Sequence, residues 1–280
     1  MKENNGSLTT NRLSITLAHL ITRNVLRQLD GSRQTYVLRF LYEMAQSSAA
    51  SVSFAALVTN TKLVNVNFQE VISTALIENM SLSELHLEDC TIGIYEIIDH
   101  VNFATTYFLY VNFPLTRLTD INFLFTRFGN VNFSVADIVN VNFSNVSMLD
   151  TNISSARIVN VNFTNANLMS TNFSTNMFAN VNFANGKIWY SDISSANFMD
   201  EDFFSVDIAG TSFSSTQFKV KFSSTSLWGI NFSFVQFETT TFKLTKLFEV
   251  DFSSAKLNDV DFFSVLFSIN HSNLLFLNDI

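Results

Sequence analysis

Four histidines, one cysteine and a modest set of carboxylates are the groups that could do chemistry in this chain. His19, His86, His100 and His271 are scattered along it. The densest collection is Glu84-x-His86-x-Glu88-Asp89-Cys90. It has the donor types of a metal site, namely imidazole, carboxylate and thiolate. Whether those donors can converge depends on the elements that carry them. Serine is so frequent that no Ser-His-Asp set stands out, and the 7 glycines form no phosphate-cradling cluster. The chain is therefore expected to be no enzyme, with no catalytic residue, no metal site and no cofactor.

The elements are set by a five-residue beat. Phe103, Phe108, Phe113, Leu118, Phe123, Phe128, Phe133, Ile138 and Phe143 recur at every fifth position, and the beat runs on through Phe163, Phe173 and Phe183. Two residues before most centres stands a small or β-branched residue, such as Val101, Thr106, Val111 and Thr116. Neither a helix period of 3.6 nor a strand period of 2 produces this pattern. A short repeat held over such a length marks a solenoid. Five residues per side turn the centre and the residue two before it into a bore, and the other three outward. Phe103, Phe113, Phe123, Phe133, Phe143, Phe163, Phe173 and Phe183 then form a core ladder. Cys90, two before Ile92, is also turned inward, away from Glu84, His86 and Glu88, which argues against a metal site there.

The beat slips in three places. Phe68 to Ile72 is a step of four, Ile97 to Phe103 a step of six, and Phe218 to Phe222 again a step of four. Bulges or one-residue deletions at corners are expected there.

Segments such as Val131-Asn132-Phe133-Ser134-Val135, Ala166-Asn167-Leu168-Met169-Ser170 and Ala196-Asn197-Phe198-Met199-Asp200 resemble the pentapeptide-repeat family, whose consensus is roughly A(D/N)LXX. The resemblance covers about 58–267. It implies an all-β solenoid: a right-handed quadrilateral β-helix, four repeats to a coil. About ten coils at strand spacing would make a rod on the order of 50 Å long.

Solenoid ends need caps. Leu13, Leu17, Leu20, Ile21 and Val25 form one apolar helical stripe. Gly31 stands where a helix would end in a left-handed residue. Ser32 can then cap a second helix with Tyr36, Val37, Phe40 and Leu41 on its inner face. The expected organisation is a disordered 1–11, a helical hairpin cap over 12–46, and the β-helix over 47–280, entered through the small-residue connector Ser47 to Ser53. The apolar run Leu274 to Leu277 is expected to close the last coil or to pair with a second copy. Leu29-Asp30-Gly31-Ser32-Arg33 and Leu38-Arg39-Phe40-Leu41-Tyr42-Glu43 also resemble the short helical segment that precedes the repeats in larger proteins of this family. There, transmembrane helices often lie upstream.

Composition limits the partners. Phenylalanine occurs 31 times, proline once, and charged residues make up 14%, against the usual ~25%. The formal net charge is −8, yet residues 1–45 carry +3, which leaves −11 for the remainder. An acidic repeat is not expected to bind nucleic acid directly. A single cysteine excludes an intramolecular disulfide framework. No signal sequence and no stretch long enough to span a bilayer is read. The compartment expected is cytoplasmic, with peripheral membrane association as the alternative.

Three outward features follow from the register. Asn102, Asn112, Asn122, Asn132, Asn142 and their successors at every tenth position should stack as two amide ladders on opposite faces, a structural role. Sequons such as Asn132-Phe133-Ser134 arise from that repeat and are incidental. Asp192, Asp200, Glu201, Asp202 and Asp207 cluster, as do Asp251, Asp259 and Asp261. Some family members resemble B-DNA in shape and charge and bind DNA gyrase, which makes a DNA mimic of a topoisomerase-like enzyme one alternative. The residues just after every fourth centre, Leu109, Gly129, Leu149, Met169, Trp189, Ala209, Trp228 and Phe248, should stack into an apolar stripe, with Tyr110 and Tyr190 beside it. Such a stripe suits a protein partner or self-association. The function expected is therefore a non-catalytic interaction or scaffold protein. The soluble part of a membrane-associated repeat protein is the further alternative.

Overall fold

The computed structural model describes residues 12–46, 54–58, 61–66, 68–71, 76–78, 81–90, 92, 97–113 and 115–268. The expected disorder of 1–11, the connector 47–53 and the run Leu274–Leu277 lie outside these residues. Two short helices, α1 (Arg12–Leu26) and α2 (Gly31–Gln46), lead through α3 (Phe54–Val58) into a parallel β-solenoid, interrupted early by α4 (Phe68–Val71). One face of the solenoid is an 11-stranded sheet running from Lys62–Val64 to Leu266–Ser268, and another is a 10-stranded sheet from Leu76–Glu78 to Lys256–Asp261. The remaining two faces are columns of single bridges, Asn102 to Asn122 to Asn142 to Asn162 on one and Asn112 to Asn132 to Asn152 to Asn172 on the other. Four faces make the quadrilateral section.

Each rung is built the same way. In Arg157-Ile158-Val159 the central Ile158 is buried and its neighbours face outward. Backbone bonds run between coils, as where Phe163 N donates to Asn182 O at 2.7 Å and Asn162 N to Val141 O at 3.0 Å. The residue two after the centre turns the corner. From Asn65 and Glu84 through to Ser264 these corner residues lie at φ between 48° and 61°. Left-handed backbone costs L-residues about 1–2 kcal/mol, least for Asn, Asp and Gly. Asn130, Asn140, Asp150, Asn160 and Gly210 occupy such corners, but so does Val135.

The bore is filled by rings. Phe103, Phe123, Phe143, Phe163, Phe183, Phe203, Phe222, Phe242 and Phe262 stack into one continuous column, with centroids 5.0–5.2 Å apart. Phe113 stacks on Phe133 at 4.8 Å, and rings of adjacent faces meet edge to face, as do Phe108 and Phe103. Every member of the expected core ladder is buried. Burial contributes roughly 1.5–3 kcal/mol per ring before chain entropy is set against it. Threonines two before the centre satisfy their hydroxyls on carbonyls of the preceding coil: Thr126 Oγ1 donates to Phe103 O at 2.8 Å and Thr216 Oγ1 to Ile193 O at 2.9 Å.

The slips differ in kind. The first is no corner deletion. Leu63 pairs with Leu87, twenty-four residues on, because α4 is inserted in that coil. The predicted centre Ile72 lies outside the described residues. The second falls earlier than the sequence suggests. Ile98 is fully buried and pairs with Leu118, whereas Ile97 is 42% exposed. The long step therefore runs from Ile92 to Ile98, and the normal beat is already restored at Phe103. The third is a one-residue deletion. Across it Met199 pairs with Lys219 and Glu201 with Val220, so the corner residue of the Gln217–Lys221 strand is missing.

The helices are turned over relative to the sequence reading. α1 buries Leu26 and α2 buries Gln34, Thr35 and Leu38. Leu17, Leu20, Ile21 and Val25, read as one apolar stripe, are exposed, as are Tyr36 and Phe40, read as part of the inner face of α2; Val37 and Leu41 are partly buried. Gly31 does not end α1. Asp30 caps α2, its Oδ1 accepting from Arg33 N at 2.9 Å, and Ser32 lies inside that helix. Gly31 is glycine for another reason: a Cβ there would stand 2.5 Å from Asn65 O. The start of α2 thus abuts the edge of the first strand. Gln34 completes the join, donating to Leu26 O at 2.8 Å and accepting from Val64 N at 3.0 Å. An edge N–H that would otherwise lack a strand partner is paired by a side chain.

Candidate protein-contact face

The outward residue after each centre of the 11-stranded sheet is placed by the same parallel register along the rod. Glu88 pairs with Leu109, Leu109 with Gly129, Gly129 with Leu149, and so on through Met169, Trp189, Ala209, Trp228 and Phe248. The stripe read from the sequence is thus brought onto one face. Trp228 is 59% exposed and Leu149 45%; Leu109, Met169, Trp189, Ala209 and Phe248 are partly buried, and Gly129 is buried.

Large and small residues interleave along it. Leu109 Cδ1 lies 3.1 Å from where a Cβ on Gly129 would be. The Tyr190 ring, itself 68% exposed, lies over Gly210 so closely that a Cβ there would meet Cδ1 at 2.7 Å. Trp228 and Phe248 rings are 5.7 Å apart, and Lys187 Nζ sits 5.1 Å from the Trp189 ring centre. The stripe is therefore a half-ordered layer held by its own neighbours. The Trp189 indole N–H is buried and has no hydrogen-bond partner among the described residues. α1 packs on α3, and α2 on α3, α4 and Lys62–Val64, the first strand of this same sheet, two strands before the one that carries Leu109.

The remaining chemical groups do other work. Cys90 is buried with its Sγ toward Leu63 O and Glu88 O, and burial pushes its thiol from an ordinary 9.0 up to about 11. Glu88 is instead paired with Lys62, which holds its carboxyl below the usual range. His86 is pulled down by partial burial and by Lys62, against the opposing pull of Glu88. His86 Nε2 lies 3.7 Å from Glu88 Oε2, while the Cys90 thiol is turned to backbone carbonyls. Asp99, His100 and Asp120 do lie together, with His100 Nδ1 2.9 Å from Asp99 Oδ1 and Nε2 3.8 Å from Asp120 Oδ2. In that arrangement each imidazole nitrogen faces a carboxylate.

The amide ladders form as read. Asn122 Nδ2 donates to Asn102 Oδ1 at 3.0 Å and Asn142 Nδ2 to Asn122 Oδ1 at 3.1 Å. Each Oδ1 also accepts a backbone N–H two residues on, as at Ser134 and Ser154. A third ladder escaped the sequence reading. Corner residues Asn140, Asn160 and Asn180 are linked at 3.0 and 2.8 Å. Among the described residues, Ser212 and Asn231 stand between Asp192 and Asp251 in their column. Asp192, Asp251 and Asp261 take ladder positions, accepting from Ser194, Ser253 and Phe263 N–H. Glu201, read as part of the outward acidic cluster, is turned into the bore and is only 2% exposed.

A comparison with curated protein sequences finds no match. Among solved structures the chain is similar to HetL, a pentapeptide repeat protein involved in heterocyst differentiation regulation from the cyanobacterium Nostoc, at 16% identity and a TM-score of 0.39, over 68% of this chain and 92% of that one. It is similar to trypsin-treated QnrB1, a plasmid-mediated fluoroquinolone resistance protein, at 16% identity and a TM-score of 0.29, over 74% and 89% of the two chains. The family model described as pentapeptide repeats matches residues 136–174 with 8 copies. The same rungs, corners and stacked centres continue on both sides of that segment. Residues 136–174 are thus matched as pentapeptide repeats.

Proposed function

We propose that this protein is a non-catalytic interaction protein whose rod presents the Leu109–Phe248 stripe to a protein partner. The observation that carries the reading is the register: aromatic and aliphatic residues at matching positions of successive coils, of which Leu149 and Trp228 are exposed, with Tyr110 and Tyr190 exposed beside them. A flat parallel sheet gives such residues a fixed spacing, so little side-chain and no backbone ordering is lost on contact. Trp and Tyr on a rigid support are favoured at the energetic centres of interfaces.

Both tryptophans of the chain, Trp189 and Trp228, stand on the stripe. Their emission therefore reports this face directly. Titration with a partner recovered from native lysate should shift the emission to shorter wavelength. A Trp228→Ser variant, folded by circular dichroism, should bind at least about thirtyfold more weakly. Undiminished binding by Trp228→Ser together with Leu149→Ser would overturn the reading. An acidic rod imitating a nucleic acid predicts the other pattern: capture that DNA competes away and that the stripe variants leave intact.

A further inference from the structure

One cluster of ligand-type side chains lies apart from the contact stripe, at the end of the Ile97–Asp99 strand of the 10-stranded sheet. Asp99 pairs in register with Thr119, and His100 and Asp120 are the corner residues that follow, at φ 52° and 54°. His100 N donates to Thr119 O at 3.0 Å and Asp120 N to Val139 O at 3.1 Å, so the backbone under both side chains is fixed by the coils. One ligand atom from each of Asp99, His100 and Asp120 lies within 4.8 Å of the other two. His100 Nδ1 is 2.9 Å from Asp99 Oδ1, yet that oxygen is buried and has no hydrogen-bond partner among the described residues. Two donor atoms this close, with no proton directed between them, have the spacing of neighbouring ligands on one cation. The charge agrees. Among the described residues, His100 is the only basic group in ion-pair reach of either aspartate, so the cluster is net negative whether or not the imidazole is protonated.

We propose that Asp99, His100 and Asp120 bind a divalent transition-metal ion, which clasps one coil to the next. An imidazole with two carboxylates suits Zn2+ and its neighbours in the first row, at bonds of about 2.0–2.2 Å. Side-chain rotation is enough to close the three ligands to that distance, since the His100 side chain is 58% exposed and that of Asp120 37%. Arg117, on the same coil as Asp120, is turned to Asp137 instead. The coil that carries Asp99 and His100 follows directly on the long step from Ile92 to Ile98. A metal shared with Asp120 ties that coil to the regular one above it. Asp120 stands 20 residues from His100, so the coil alone brings it to the pair, and the sequence reading passed over it. The site and the contact stripe lie on different sheets, and neither depends on the other.

The test is equilibrium dialysis of the full chain, first stripped with a chelator, against Zn2+ alone. One tightly bound ion is expected, and Mg2+, which disfavours imidazole, should not displace it. The melting temperature should rise with free Zn2+. Co2+ in its place should give a visible ligand-field absorption. His100→Asn and Asp120→Asn put Asn at corners whose backbone it tolerates, so both variants should stay folded by circular dichroism. Loss of an outer-shell partner alone costs a metal site about 10–100-fold in affinity. Each variant removes a ligand, so each should weaken Zn2+ binding by more than about tenfold and lose the Co2+ absorption. His86→Asn should bind as the wild type does. Absence of bound Zn2+ in the wild-type chain would overturn the proposal. So would Zn2+ retained by both corner variants, which would put the ion elsewhere, or displacement by an equal concentration of Mg2+.

Discussion

At the residue scale, the corners and the bore set the conformational and burial costs that the sequence must meet. Val135 holds φ at 59°, a region β-branched residues avoid. Its side chain is 52% exposed, so Val135→Asn should stabilise the rod by about 1 kcal/mol, read as a higher midpoint in urea. Glu201 stands in a column otherwise formed by Val161, Val181 and Val220. Cys90 gives a pH prediction. Its folded value is raised above its ordinary one, so its contribution is fully present below pH 9.0 and is lost as pH rises toward about 11. Stability measured across that window should fall less in a Cys90→Ala variant than in wild type, relative to each at pH 8. The native thiol should also resist alkylation at neutral pH and react on unfolding.

At the scale of elements, legibility followed the strength of the constraint. The beat placed nearly every centre because only two residues in five, the centre and the one two before it, enter the bore, and only the centre is regularly large. Where two neighbours were equally apolar, at Ile97 and Ile98, composition gave no choice and the backbone register decided. The corners were missed because their demand is on φ, although the recurrence of Asn and Asp two after the centre was a signal for it. The helices were misread for a physical reason. An apolar stripe was taken as the buried one, but the junction with the rod is made by close backbone approach at Gly31 and by the polar Gln34. Glu201 was misplaced because a charged residue two before a centre was read with its acidic neighbours rather than by register. The junction is open to test. Gly31→Val should force α2 away from Asn65, and Gln34→Leu would leave Val64 N–H unpaired. Gln34→Leu should cost about 1–3 kcal/mol. Hydrogen exchange should show that loss first in α2 and the Lys62–Val64 strand, with the central coils unaffected.

At the scale of the whole molecule, coil stacks on coil through columns of rings, the Phe103–Phe262 column unbroken among them, and four columns of backbone bonds. Phe143 is central, clasped between Phe123 and Phe163 at 5.0 Å on either side. Phe143→Asp buries a carboxylate in that column and should abolish cooperative unfolding of the rod, seen as loss of the thermal transition. The same regularity makes the outer surface a ruled one, on which a contact stripe of fixed spacing is available. The most direct measurement of that claim places a photocrosslinking residue at Leu149 or Trp228 on the stripe, or at Glu238 on the other sheet, and illuminates each folded variant in native lysate. The account predicts a defined adduct from Leu149 and Trp228 and none from Glu238. Equal labelling from both sheets, or labelling from Glu238 alone, would contradict it.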